Sequence, residues 1–62
     1  MYYWVIQRIG GHIFAHGPYR TEGARDKRFE QVKGGEVYRF NSFSPDERQV
    51  IEEFRAEEVE LV

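Results

Sequence analysis

The dipeptide Gly10-Gly11 most constrains the fold, because it separates two runs of residues that favour β-strands. Residues 2–9 are rich in aromatic and β-branched side chains, and residues 12–16 continue the apolar alternation. Two glycines between such runs predict a tight hairpin, since both positions of a two-residue turn favour positive φ.

A two-residue turn also sets the register of the hairpin, which pairs Arg8 with Ile13, Ile6 with Ala15, and Val5 with His16. One face of this hairpin is apolar up to Arg8 and carries Tyr2, Trp4, Ile6, Ile13 and Ala15. The other face is interrupted by polar residues and carries Tyr3, Val5, Gln7, Ile9, His12, Phe14 and His16. Because a small sheet normally buries one face, we expect the Trp4 face to form the core; a one-residue slip would exchange the faces.

The remaining residues predict a helix, a strand and a second helix. Gly17-Pro18 is expected to end the second strand, and Thr21 to cap a helix over residues 22–33 that stops at Gly34. Residues 36–41 alternate as a third strand.

A capping box of Ser44 and Glu47, with Pro45 at the first helical position, predicts a second helix from Pro45 to about Glu57. Acidic residues oppose the dipole at its end, so we expect the final residues to fray or extend. The fold class is therefore α+β, with the order ββαβα: a small antiparallel three-stranded sheet with both helices on one face, in two layers. The partner of the third strand stays open.

The size and composition bound the possible functions. The 62 residues make one domain, residues 1–62, and the lack of cysteine excludes disulfides, thiolate metal sites and thiol nucleophiles. The ten aromatic side chains can supply an apolar core instead. No apolar run reaches the ~18 residues of a membrane span, and no signal peptide opens the chain, so we expect a soluble, cytoplasmic protein.

Neither histidines nor carboxylates form a convincing chemical site. His12 and His16 lie on one side of a strand, about 13 Å apart, which is too far to share a metal ion. The glutamate pairs 52–53 and 57–58 belong to a solvated helix face, whereas acid–base catalysis needs a desolvated carboxyl group in a cleft. We therefore expect no enzyme activity, metal or cofactor.

The second sheet face suggests the first function. If both helices cover the Trp4 face, an apolar surface is left uncovered, consisting of Tyr3, Val5, Ile9 and Phe14. Such a surface is typical of a non-enzymatic module that binds a protein partner or its own copy. Open strand edges offer a second route, by strand addition. Alternatively, a helix or residues 59–62 cover part of this face.

A basic cluster suggests the alternative, a small protein that binds single-stranded nucleic acid. Residues 1–41 hold seven basic and four acidic side chains, whereas residues 42–62 hold two and seven. The candidate contacts surround the first helix, near several tyrosines, and are Arg20, Arg25, Lys27, Arg28 and Lys33. The competing interpretation is that the basic and acidic elements pack side by side and neutralise each other.

Overall fold

The computed structural model describes the backbone of residues 1–61 and the side chains of residues 1–57. Its elements follow the predicted order ββαβα and are β1 (Tyr2–Ile9), β2 (His12–Tyr19), α1 (Glu22–Gln31), β3 (Glu36–Ser42) and α2 (Glu47–Leu61). The α+β class and the three-stranded antiparallel sheet are confirmed. Neither helix in the described part of the chain is long and apolar enough to span a bilayer.

β1 is the central strand, in the order β2-β1-β3. This order answers the question that the sequence left open, since β3 pairs antiparallel with β1 and places Phe40 opposite Trp4. The predicted hairpin register is confirmed, with Arg8 opposite Ile13 and Val5 opposite His16. Of the two glycines in this turn, Gly10 has a positive φ, of 61°, and Gly11 does not.

β2 continues through Gly17-Pro18, where the sequence predicted its end. The peptide bond between these residues is cis, and the register shifts between Val5 and Tyr3, so that Tyr3 faces Tyr19. Proline is tolerated here because β2 is an edge strand, on which one row of N–H groups has no ladder partner. A Cβ atom on Gly17 would lie 3.1 Å from the Trp4 ring, so the glycine lets this strand pass close to the tryptophan.

The two helices lie on opposite faces of the sheet, which corrects the predicted two-layer arrangement. On one face, Trp4 and Ile6 form a core cluster with Val50 and Phe54 of α2. On the other face, Arg25 of α1 stacks over the Tyr3 ring, with 5.5 Å between the guanidinium carbon and the ring centroid. The molecule therefore has three layers, α2, sheet and α1.

The predicted core face is confirmed. Among the described residues, the core cluster on this face consists of Trp4, Ile6, Val50 and Phe54. The partly buried residues packed against it are Tyr2, Ile13, Ala15, Tyr38 and Phe40. Phe54 joins α2 to β3, because its ring centroid lies 5.2 Å from that of Tyr38 and 5.8 Å from that of Phe40. Aromatic pairs at such distances stabilise beyond their buried area.

Helix α1 begins as predicted and ends two residues early. The Thr21 hydroxyl accepts a hydrogen bond from the Ala24 amide at 3.2 Å, which confirms the cap. The helix ends at Gln31, and Val32 takes an extended conformation. Just beyond this end, the carbonyl groups of Lys33 and Gly34 accept hydrogen bonds from the Gln7 side chain, at 3.0 and 3.2 Å.

Helix α2 is displaced towards the C-terminus relative to the prediction. Asp46 is its cap, since its carboxylate accepts from the Gln49 amide at 3.3 Å, whereas the Ser44 hydroxyl accepts from the Asp46 amide at 3.0 Å. The predicted box of Ser44 and Glu47 is therefore wrong. The helix continues to Leu61, past the predicted end at Glu57. Glutamate is a good helix former, and this propensity outweighs the opposing dipole.

The loop between α1 and β3 depends on a glycine, which gives a first prediction. A Cβ atom on Gly35, whose φ is +65°, would lie 2.1 Å from the Arg8 carbonyl oxygen. We expect Gly35→Ala to lower the free energy of unfolding by about 3 kcal/mol or more, because of strain and overlap. The control is Gly23→Ala in α1, where nothing lies within 4 Å; it should gain about 0.5–1 kcal/mol. Urea denaturation measures both, and equal effects would contradict this account.

Candidate interaction surface

The predicted partner-binding face is only partly open. Val5 is fully buried, and Tyr3 is half-buried beneath Arg25, whereas Ile9 and Phe14 are 45% and 47% exposed. The expectation that this face lies uncovered is therefore wrong at Val5 and Tyr3. The alternative that a helix covers part of it is right, since α1 lies there; the side chains of residues 59–62 are outside the described residues.

Arg25 fixes α1 to this face. Its side chain is buried, with 5% of the residue surface exposed, and its Nε donates to the Asp26 carboxylate at 2.7 Å. Its Nη1 donates to the Asn41 side-chain oxygen at 2.9 Å. A buried guanidinium with these partners is structural, because withdrawing it would leave the partners unpaired. Arg25 is thus not available to bind phosphate groups.

The neighbouring carboxylate, Asp26, serves two guanidinium groups. Arg39 of β3 also donates to it, at 3.1 Å, and stacks 4.0 Å above the centre of the Phe29 ring. The hydrogen bond from Arg25 is the main cause, and that from Arg39 a further cause, of the lowered pKa of Asp26. This cluster joins α1 to β3, so it explains why the helix settles over a face that is not uniformly apolar.

Gln7 and His16 complete the contact between sheet and helix. Both amide hydrogens of Gln7 are used by the carbonyl groups of Lys33 and Gly34, so its Oε1 is an acceptor for His16 Nε2, 3.1 Å away. This contact assigns the proton to Nε2. Burial is the main cause of the lowered pKa of His16, and the charge of Arg28 adds to it. The role of His16 is therefore structural.

Two apolar residues at the hairpin end lie beyond the cover of α1. The chain leaving α1 reaches the sheet at Gln7 and passes beside Ile9 at Gly34 and Gly35, yet Ile9 stays 45% exposed. Phe14 faces Gln7 across the ladder, and His12 faces Ile9. The His12 and Phe14 ring centroids lie 6.4 Å apart. Ile9, His12 and Phe14 form one exposed surface, here called the hairpin patch.

Sequence reasoning missed a further exposed aromatic residue, Phe43, which is 81% exposed. Its flanking serines are held in place: the Ser42 hydroxyl donates to Glu53 at 2.8 Å, and the Ser44 carbonyl accepts from the Trp4 indole at 3.3 Å. The sequence signal for it is a large apolar side chain between Ser42 and Ser44, directly after the predicted third strand. Phe43 is separate from the hairpin patch, since it follows the opposite end of β3.

The basic residues proposed to bind nucleic acid are not equivalent. Four are exposed, namely Arg20, Lys27, Arg28 and Lys33, whereas Arg25 is buried. Among the described residues, α1 and α2 lie on opposite faces of the sheet, so the two helices do not pack side by side as the competing interpretation held. The ion pairs found among the described side chains all lie within residues 1–41 and are Arg8–Glu36, Arg25–Asp26 and Arg39–Asp26.

The Arg8–Glu36 pair lies on the α2 face, at the hairpin end of the sheet. Tyr38 also donates to the Glu36 carboxylate, and Arg8 binds it at 2.9 and 3.0 Å. The hydrogen bond from Tyr38 is the first cause, and that from Arg8 the second, of the lowered pKa of Glu36. These partners surround a paired, exposed carboxylate rather than a desolvated catalytic acid. Within residues 1–57, no three acidic or histidine side chains are grouped to hold a metal.

The sequence matches no protein-family model, and searches of curated proteins and of solved structures found no match. The surface of the molecule is therefore the evidence for its function.

The lowered pKa of His16 gives a second prediction. Because its pKa in the fold lies below the ordinary 6.5, the unfolded chain binds the proton more readily as the pH falls below 6.5. The free energy of unfolding should therefore decrease between pH 7 and pH 5.5. In His16→Gln this decrease should be smaller, whereas the control His12→Gln should retain it. Urea denaturation at each pH measures the effect, and identical profiles for both variants would contradict it.

Proposed function

We propose that this chain is a non-enzymatic interaction module that binds a protein partner, or a second copy of itself, through the hairpin patch. The observation that carries this proposal is the exposure of Ile9 and Phe14, at 45% and 47%, at diagonal positions on neighbouring strands of the same sheet face. Grouped apolar side chains of this kind mark contact surfaces more often than scattered ones do.

The energetics support a contact role for the patch. Complete burial of a Phe or Ile side chain stabilises by about 1.5–3 kcal/mol, so half-exposed Ile9 and Phe14 each forgo about 1 kcal/mol. A small domain has little stability to spare. A partner that covers both side chains would recover this free energy on binding, and His12 at the rim can hydrogen-bond to it.

The buried polar groups support a structural rather than a catalytic role. Gln7, Arg25 and Ser42 are the buried polar residues, and every buried side-chain polar atom among the described residues has a hydrogen-bond partner. Catalytic groups usually combine desolvation with an accessible cleft. The contacts of these three residues instead join the sheet to the two helices.

The alternative function, binding of single-stranded nucleic acid, has weaker support. It would use Arg20, Lys27, Arg28 and Lys33 without Arg25, and the rings of Tyr2 and Tyr38 pack against the core. Titration with a single-stranded oligonucleotide at 50 and 200 mM salt separates the two functions, because phosphate contacts weaken steeply as salt rises. Salt-sensitive binding that Arg28→Glu abolishes would favour the alternative.

A photo-crosslinker tests the proposed function. Benzoylphenylalanine in place of Phe14 should, in extracts of the cells that make this protein, form a covalent adduct with a protein, including a second copy. Excess unlabelled chain should compete for this adduct, and Ile9→Ser should reduce it at least about tenfold by removing the neighbouring apolar contact. Mass spectrometry identifies the adduct.

The matched control places the same crosslinker at Phe43, which is exposed but lies outside the patch. Its adducts should be insensitive to Ile9→Ser. The proposal fails if position 14 gives no protein adduct, or if its adducts persist unchanged in Ile9→Ser.

A further inference from the structure

We infer that β2 pairs with β2 of a second copy, antiparallel and around a two-fold axis centred on Phe14. This inference rests on the proposed function and names the occupant of the hairpin patch and its route of binding. The sheet order leaves β2 at an edge. Among the described residues, the backbone hydrogen bonds of β2 are those of its ladder with β1.

The two edges of the sheet differ in charge. β3 carries the exposed charged residues Glu36 and Arg39 on its edge, and charged side chains discourage pairing with another strand. Residues 12–16 of β2 contain no lysine, arginine, aspartate, glutamate or proline. This segment of β2 therefore lacks the charges that protect β3, and an antiparallel copy would bring no like formal charges together along it.

The length of the free segment selects its centre. The turn at Gly10-Gly11 limits it at one end, and the register shift that begins after His16 limits it at the other. The strand between these limits is residues 12–16, and its middle residue is Phe14. An antiparallel copy centred there pairs every residue of the segment, with His12 opposite His16 of the second copy.

The hydrogen-bonding pattern agrees with this centre. In a hairpin with a two-residue turn, the pair that flanks the turn, Ile9 and His12, is a hydrogen-bonded pair, and such pairs alternate along the ladder. The N–H and C=O groups of Ile13 and Ala15 therefore point away from β1. In the proposed arrangement Ile13 faces Ala15 of the second copy, so the two copies form four backbone hydrogen bonds.

The same arrangement covers the exposed ring. Phe14 faces Phe14 of the second copy as a non-hydrogen-bonded pair, in which side chains approach most closely, and aromatic cross-strand pairs stabilise sheets. The result is a continuous six-stranded sheet with a symmetric interface. Five residues from each copy bury much less than the ~1,000 Å² of a stable interface. The dimer should therefore be weak, with a dissociation constant of about 0.1–1 mM.

Sedimentation equilibrium and amide NMR spectra of the full chain, from about 10 μM to 2 mM, test the pairing. The expected result is a monomer–dimer equilibrium in which concentration-dependent shifts concentrate on residues 12–16. Phe14→Lys should weaken association at least about tenfold, since it sets two ammonium groups opposite each other. The matched control, Phe43→Lys, should associate like the parent chain.

A second pair of variants tests the edge without changing a side chain. Methylation of the Ala15 backbone nitrogen removes a donor that points away from β1, so the fold should remain and the dimer should be lost. Methylation of the Val37 nitrogen is the control, because by the same alternation it lies on the outer edge of β3. Amide spectra confirm the fold of each variant.

Three results would overturn the inference: a monomer at 2 mM, association unchanged in Phe14→Lys and in the methylated Ala15 chain, or shifts confined to β3. These results are distinct from failure of the proposed function. A chain that stays monomeric while the crosslinker at position 14 captures another protein refutes only the strand pairing. A chain with no protein adduct and no self-association refutes both.

Discussion

The burial of β1 on both faces is the constraint on which the rest of this structure depends. Trp4 and Ile6 point to one side and Val5 and Gln7 to the other, and all four are buried. Alternation along a strand sends neighbouring side chains to opposite faces, so one helix cannot cover them all. The chain places α2 on one face and α1 on the other. The second layer has few apolar residues, so Arg25 enters it and requires the partners that tie α1 to β3.

Local rules predicted the features that depend on local chemistry. The hairpin register follows from a two-residue turn, the Trp4 face from its unbroken apolar alternation, and the α1 cap from the Thr21 hydroxyl. The placement of α1 depends instead on groups far apart in sequence. In the sequence, Gln7 and His16 interrupt an apolar sheet face and so suggest exposure to solvent. In the fold, Gln7 donates to the Lys33 carbonyl and His16 contacts the Gln7 side-chain oxygen. The strand through Pro18 likewise depends on β2 being an edge, which only the pairing of β3 with β1 determines.

The candidate site was partly predictable for the same reason. Strand parity alone assigns Val5, Ile9 and Phe14 to one face, but exposure depends on how far the covering helix reaches. Helix α1 has ten residues and is about 15 Å long, whereas the eight residues of β1 extend over about 26 Å. The helix is therefore too short to cover the strand, and the chain that follows it meets the sheet at Gln7. Val5 is covered, whereas Ile9 and Phe14 stay about half exposed.

At Phe14, the residue type that binding would favour differs from the residue type that the fold alone would favour. Its side chain points away from the Trp4 core, and its ring contact is with His12, so Phe14 contributes to the fold only through the buried half of its surface. Polar or charged side chains at such an edge also suppress association. The Phe14 ring thus leaves apolar surface exposed to water and does not protect the edge against pairing, and it is not part of the core cluster. Burial of this surface on binding would account for both the exposed ring and the unprotected edge, whereas the fold of the isolated chain requires neither.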